Sequence, residues 1–113
     1  MDQRLVPSDP LSFIQSCVER RQIRWTHHAS MRLRQRSIRI ETVLSAVESF
    51  EIIEEYREDK YLPSYLIRAA EEGVVFHFHG AVDVEGDNVR IVTVYVPDPQ
   101  EWDPELRTRR VPE

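Results

Sequence analysis

The sequence predicts an α+β domain in which N-terminal helices pack on one face of a four-stranded, mainly antiparallel meander sheet. Three observations predict it. The hydrophobic period changes once along the 113 residues, from about 3.6 before residue 51 to about 2 after it. The links between the later apolar runs, at 59–63, 71–73 and 85–88, are hairpin-sized, so consecutive strands should pair antiparallel. Finally, 41% of the residues are hydrophobic, which at this length supplies a core without disulfide or structural metal. The chain therefore reads as one domain, 1–113.

The elements follow in order. Ser8 is placed to cap a helix over 9–22, with Pro10 in its first turn and Leu11, Ile14, Cys17 and Val18 at helical spacing. Residues 23–25 read as extended. Thr26 can cap a second helix, 27–36, that is polar on most sides and carries only Ala29, Met31 and Leu33 as apolar residues. Val43, Leu44, Val47 and Phe50 predict a third, 40–49. Runs rich in Val, Ile, Tyr and Phe at 51–56, 64–69, 74–82 and 89–96 are the strands. On the last of them Val92, Val94 and Val96 are expected to enter the core, with Ile91, Thr93 and Tyr95 on the opposite face. The proline-rich tail after 96 reads as a strap anchored by Trp102, leaving one face of the sheet otherwise free.

Charge is divided unevenly. The first forty residues hold eight arginines against three acidic side chains, whereas the remainder holds seven basic and seventeen acidic residues, for a net charge of −5. A net acidic chain repels polyanions at long range, but an arginine-rich segment can grip one locally through planar, bidentate contacts. The arginines can equally pair with the acidic residues that follow. A single cysteine fits a reducing compartment, and no signal-type or ~20-residue apolar segment is present, so a soluble, cytoplasmic protein without membrane contact is expected.

With three glycines in the chain, there is no phosphate-cradling loop, nucleophile elbow, zincin or calcium-loop pattern. The densest signal is HHASMRLRQR, where His28, Arg32 and Arg36 at spacings of four share a helix face. An imidazole that titrates near neutrality beside two guanidinium groups suits phosphate chemistry. A solvated cationic stripe is the plainer reading of the same spacing. His77 and His79 in VVFHFHG share a strand face, a pair that could ligate zinc given further ligands or could simply hydrogen-bond within a packed strand. Cys17 reads as a packed apolar residue.

WTHHASMRLRQRSI, EIIEEY, SYLI, VFHFHGAVD and VTVYVPDPQEWD resemble, in that order, a bacterial family of small uncharacterised domains. The shared pattern is HAxxRhxxRxI followed by TxYxPDPxxW, over about residues 25–103, with 1–24 as an extra helix and 104–113 as a tail; Ser37 stands where the family more often has glycine. Such domains resemble the RelE/MqsR class of toxins, often paired with YgiT/MqsA-type zinc-finger antitoxins. The resemblance implies a RelE-like fold and a toxin that cleaves RNA without metal or cofactor, as an mRNA interferase does. RNA would be the substrate and a cognate zinc-finger antitoxin the partner; homodimerisation is left open. Carried over by position, His28, Arg32, Arg36, His77, Thr93 and Tyr95 match.

In that reaction the ribose 2′-hydroxyl attacks the adjacent phosphate, which needs a base, an acid and positive charge at phosphorus, each acid–base role being worth on the order of 10² to 10⁴ in rate. The resemblance assigns acid–base work to His28 and His77, phosphate stabilisation to Arg32 and Arg36, and orientation or proton donation to Tyr95. Arg24, Arg34 and Thr93 are assigned to nucleic-acid contact, and no metal site is assigned. The alternative is a non-enzymatic partner-binding module, whose His/Arg motif is structural and ties the second helix to Glu51, Glu54 and Glu55.

Overall fold

The computed structural model describes residues 5–36 and 38–111. Helix α1 (Pro10–Glu19) is capped by Asp9 rather than Ser8: its carboxylate accepts from the backbone N–H of Ser12 at 3.1 Å. The helix ends in a Schellman turn with Arg21 at φ 62°, Gln22 N–H donating to Cys17 O and Arg21 N–H to Val18 O. That turn aims the chain into a short strand, β1 (Ile23–Trp25). Thr26 then caps α2 (His27–Arg36), its hydroxyl accepting from Ala29 N–H at 3.1 Å and donating to Val92 O at 3.0 Å. The third helix of the sequence reading is split into α3 (Ile40–Ser45) and a 3-10 turn at Val47–Ser49. Ser49 Oγ donates to Ala46 O and accepts from Ala70 N–H, so the tightened turn is pinned to the sheet.

Strands β2 (Glu51–Tyr56), β3 (Ser64–Glu71), β4 (Val74–Asp83) and β5 (Asn88–Tyr95) then form the antiparallel run the periodicity predicts. Glu72 and Gly73, both at positive φ, make the two-residue turn between β3 and β4.

The sheet is not a four-stranded meander. It has five strands in the order β1-β5-β4-β3-β2, with β1 parallel to β5, so the architecture is a mixed-sheet α+β fold. Three residues are too few to display alternation, and the parallel partner lies more than sixty residues downstream, which is why β1 reads from sequence only as extended chain. The face assignment on β5 also changes. Gly80 pairs with Ile91 and His79 with Thr93, leaving Val92 as the extra residue of a β-bulge. The bulge lets Val89, Ile91 and Val94 all enter the core while Thr93 and Tyr95 stay on the opposite face. A second bulge at Ile53 does the same for β2, placing Ile52 over Ile67 and Glu54 over Leu66 on opposite faces.

One core joins the helices to the sheet. Ile14, Cys17 and Val18 of α1, Ala29 and Leu33 of α2 and Val43 of α3 close over Ile67, Phe76, Phe78, Val82 and Ile91. Phe50 meets Phe78 edge-on, with ring centroids 5.0 Å apart. Among the described residues no helix is long and apolar enough to cross a membrane.

Candidate functional site

The sheet face away from the helices is only half open. After β5 the tail turns back across it as the strap read from the prolines: Trp102 is buried and bridges to Arg109. Arg68 Nε donates to Glu105 O, Arg107 pairs with Glu51, and Arg109 pairs with Glu54 at 2.8 Å. The Arg109 guanidinium also lies 4.6 Å from the Trp102 ring centroid. The strap therefore neutralises the acidic outer edge of β2. Among the described residues, Glu51 and Glu54 take their guanidinium partners from the tail, where the structural alternative expected them from α2.

His77 lies beneath this strap, fully buried. A carbonyl can only accept, so Nε2–H donates to Leu106 O at 2.8 Å, and the remaining lone pair on Nδ1 accepts from the Tyr95 hydroxyl at 3.2 Å. The Trp102 ring stands edge-on at 4.5 Å. Burial pushes the His77 pKa below its ordinary value and that of Tyr95 up to about 12. His77 is thus a neutral ring with both nitrogens engaged and no path to solvent. It positions Tyr95 and is not a group that could meet a substrate.

The uncovered part of the face forms two adjoining hollows that share Thr93 and Tyr95. The first, of about 340 Å³, is lined by Glu54, Tyr56, Asp59, Leu66, His79 and Arg109 as well. Within it the Ser64 hydroxyl donates to Asp59 Oδ2 at 2.7 Å, so it accepts from His79 Nε2–H, also at 2.7 Å. Glu54 accepts from Arg109 and from the Tyr56 hydroxyl; burial raises its carboxyl, but these hydrogen bonds outweigh that and hold it below the usual range. The second hollow, of about 430 Å³, is lined by Arg32, Val96, Asp98 and Glu101 beyond the shared pair.

Among the described side chains of the α2 motif, Arg32 is the one that reaches the groove. Its Nε points at His28 Nε2 at 3.5 Å and its Nη1 at Gln35 Oε1 at 3.4 Å, so imidazole and guanidinium are neighbours one turn apart. Both stand on the exposed side of α2, while Ala29 and Leu33 face the core. Arg36 closes α2, and its side chain lies outside the described residues, as does Ser37. Arg34 is exposed. Arg24 on β1 is the register partner of Arg90 on β5, and because Ile23 and Trp25 pack on the core, the two arginines sit side by side on the outer face. The structure thus gathers Arg32, Thr93 and Tyr95 around one hollow, sets His28 behind Arg32 and His77 behind Tyr95.

A family model described as "Domain of unknown function (DUF4258)" matches residues 25–96, well over half of the chain, from the last residue of β1 to just beyond β5. The chain belongs to the DUF4258 family. No curated protein and no solved structure matches it. The DUF4258 match contains α2 and every strand of the groove, and leaves out α1 and the strap.

Within the DUF4258 region, sequence reasoning missed Ser64 and Asp59; of its two readings of His77 and His79, zinc ligation or hydrogen bonding within a packed strand, the second is the one found. Those two histidines share a face, but His77 has no nitrogen left for a metal, and among the described residues no group of three His, Cys, Asp or Glu side chains is arranged to hold one. The alternation that put both histidines outward was the available signal. What it could not reveal is that the strap covers one and stops short of the other.

Proposed function

We propose that this DUF4258 protein is a toxin-like, metal-independent endoribonuclease of the RelE/MqsR kind, acting in the cytoplasm and held in check by a zinc-finger antitoxin partner. The observation that carries the reading is Arg32: bonded to His28, it opens on the same hollow as Thr93 and Tyr95, on the uncovered sheet face. A phosphate there would take charge stabilisation from Arg32, with Arg36 one turn further along the helix. His28 supplies acid–base capacity at the same point, since a phosphate that draws Arg32 toward itself frees Nε2 to hold a proton. The Arg24 and Arg90 pair adds a second phosphate contact, because two adjacent like charges on a sheet favour an anion between them. Thr93 and the Arg34 side of α2 would guide the strand. His77 has no direct part in this chemistry.

The experiment is RNA cleavage by purified protein in EDTA. Cutting is expected, with Arg32→Ala and His28→Ala losing at least 100-fold while the melting temperature stays within a few degrees, as for exposed positions. Wild-type protein that leaves RNA intact, or an Arg32→Ala variant that cuts as well, overturns the proposal.

A second reading, a non-enzymatic partner-binding module, is favoured by Asp98 and Glu101, which line the hollow beside Arg32 and oppose a polyanion. It expects complex formation with the neighbouring gene product and no growth arrest when the protein is expressed alone.

A further inference from the structure

The reaction proposed above needs two proton-transfer groups, and the burial of His77 leaves one role without an owner. We infer that His79 is the general base of the groove, held in place by Ser64 and Asp59; this rests on the cleavage reading. Three features of the geometry carry it. First, the relay fixes the tautomer. The Ser64 hydroxyl spends its proton on Asp59 Oδ2 at 2.7 Å, so His79 must present Nε2–H to it, also at 2.7 Å. The unprotonated Nδ1 then has no protein partner among the described residues, on a ring that lines the hollow. Second, the position suits the reaction. His79 is the register partner of Thr93, which faces both hollows, and Arg32 lines the other one. A phosphate held at Arg32 and Thr93 would place an adjoining ribose toward His79. Third, the ring is anchored. Tyr56 packs against it with centroids 5.7 Å apart, and the hydrogen bond from Nε2 stops the ring flipping.

The step balances without another reactant. His79 Nδ1 takes the proton of the ribose 2′-hydroxyl, the O2′–P bond forms as P–O5′ breaks, and the departing 5′-oxygen takes a proton from the His28 imidazolium. The products are a 2′,3′-cyclic phosphate and a 5′-hydroxyl, and solvent carries the proton from His79 back to His28. The groups facing His79 are Glu54 and Tyr56 on β2, Asp59 in the loop after it, Tyr95 on β5 and Arg109 from the strap. Burial lowers its pKa, which Asp59 and Glu54 oppose, so the ring is neutral at pH 7 and able to act as a base.

Single-turnover cleavage of a mixed-sequence RNA in EDTA, followed from pH 4.5 to 8, tests this. His79→Asn should lose at least 100-fold and its acidic limb, the fall in rate as the base becomes protonated. Asp59→Asn keeps the imidazole, and serves if His79→Asn fails to fold: removing the negative charge lowers the His79 pKa, so the acidic limb should move to lower pH. A purely structural latch would change the melting temperature and leave the limb where it was. Wild type that cuts while His79→Asn cuts within threefold of it, or an unmoved limb in Asp59→Asn, overturns His79 and leaves the cleavage reading standing. Wild type that cuts nothing overturns both.

Discussion

His77 and Leu106 meet through one hydrogen bond, Nε2–H to carbonyl at 2.8 Å, and this contact decides what the open face of the sheet can do. It joins the centre of β4 to the middle of the strap, and the Trp102 ring packs edge-on against the same imidazole. The tail is thereby part of the fold, although it lies outside the family match.

Trp102→Ala should accordingly be severe. The side chain is buried to 1% exposure against His77 and Arg109, and truncating a buried tryptophan costs about 3–5 kcal/mol. Urea unfolding would measure it. A loss below about 1 kcal/mol, the size of an ordinary surface change, would mean that the strap does not dock as described.

Helices and strands were legible because they obey local periods: α2 and β2 have the boundaries read from sequence, and β3 to β5 differ only at their ends. What failed was non-local. β1 shows its role only when Ile23 meets Val89, and the bulge at Val92 breaks a face pattern that strict alternation assumed. The site divides the same way. Arg32, Thr93 and Tyr95 were found by motif and meet in space, whereas His77 was assigned chemistry that the strap's burial of it forbids. Ser64 and Asp59 carry no motif: Ser64 meets His79 only because β3 pairs with β4 in this register, and Asp59 joins them only because the loop after β2 folds back on Ser64.

Stability should fall as pH drops below about 6.5, the ordinary histidine value. His77 and His79 both have lowered pKa values in the fold, chiefly through burial. In the window beneath 6.5 the unfolded chain therefore binds protons that the folded chain does not, and stability rises with pH there. Each histidine can contribute a slope of at most about 1.4 kcal/mol per pH unit. Unfolding midpoints at pH 5.5 and 7.5 would show the effect, and replacing His79 by asparagine should reduce the slope without abolishing it. Equal midpoints would mean that both rings are protonated without cost in the fold.

Arg109 and Glu54 are joined by two hydrogen bonds, at 2.8 and 3.3 Å, with the arginine more than half exposed. Solvent screening limits such a pair, so a double-mutant cycle with Arg109→Ala and Glu54→Gln should return a coupling of about 0.5–1 kcal/mol, weakening with added salt. The Arg109 change should cost more than this coupling, because its guanidinium also covers Trp102. Single-mutant effects that simply add would remove the pair from the forces holding the strap.

Gly80 sits where the β4–β5 register shifts, between His79, which pairs with Thr93, and Ala81. A Cβ there would lie 3.1 Å from Val89 Cγ2 and 3.5 Å from the Phe78 ring, and both neighbours are fully buried. Packed core side chains cannot yield by even a few tenths of an ångström without leaving their rotamers or moving backbone, so Gly80→Ala should cost about 1–3 kcal/mol. Because the strain falls on the residue next to His79, the variant should also disturb the His79–Ser64 contact, visible as a shift of the His79 ring resonances in NMR. Gly73→Ala offers the contrast: no atom lies within 4 Å of its added Cβ, and only the φ of +82° opposes it, so its cost should be confined to the β3–β4 turn and leave the His79 signals in place.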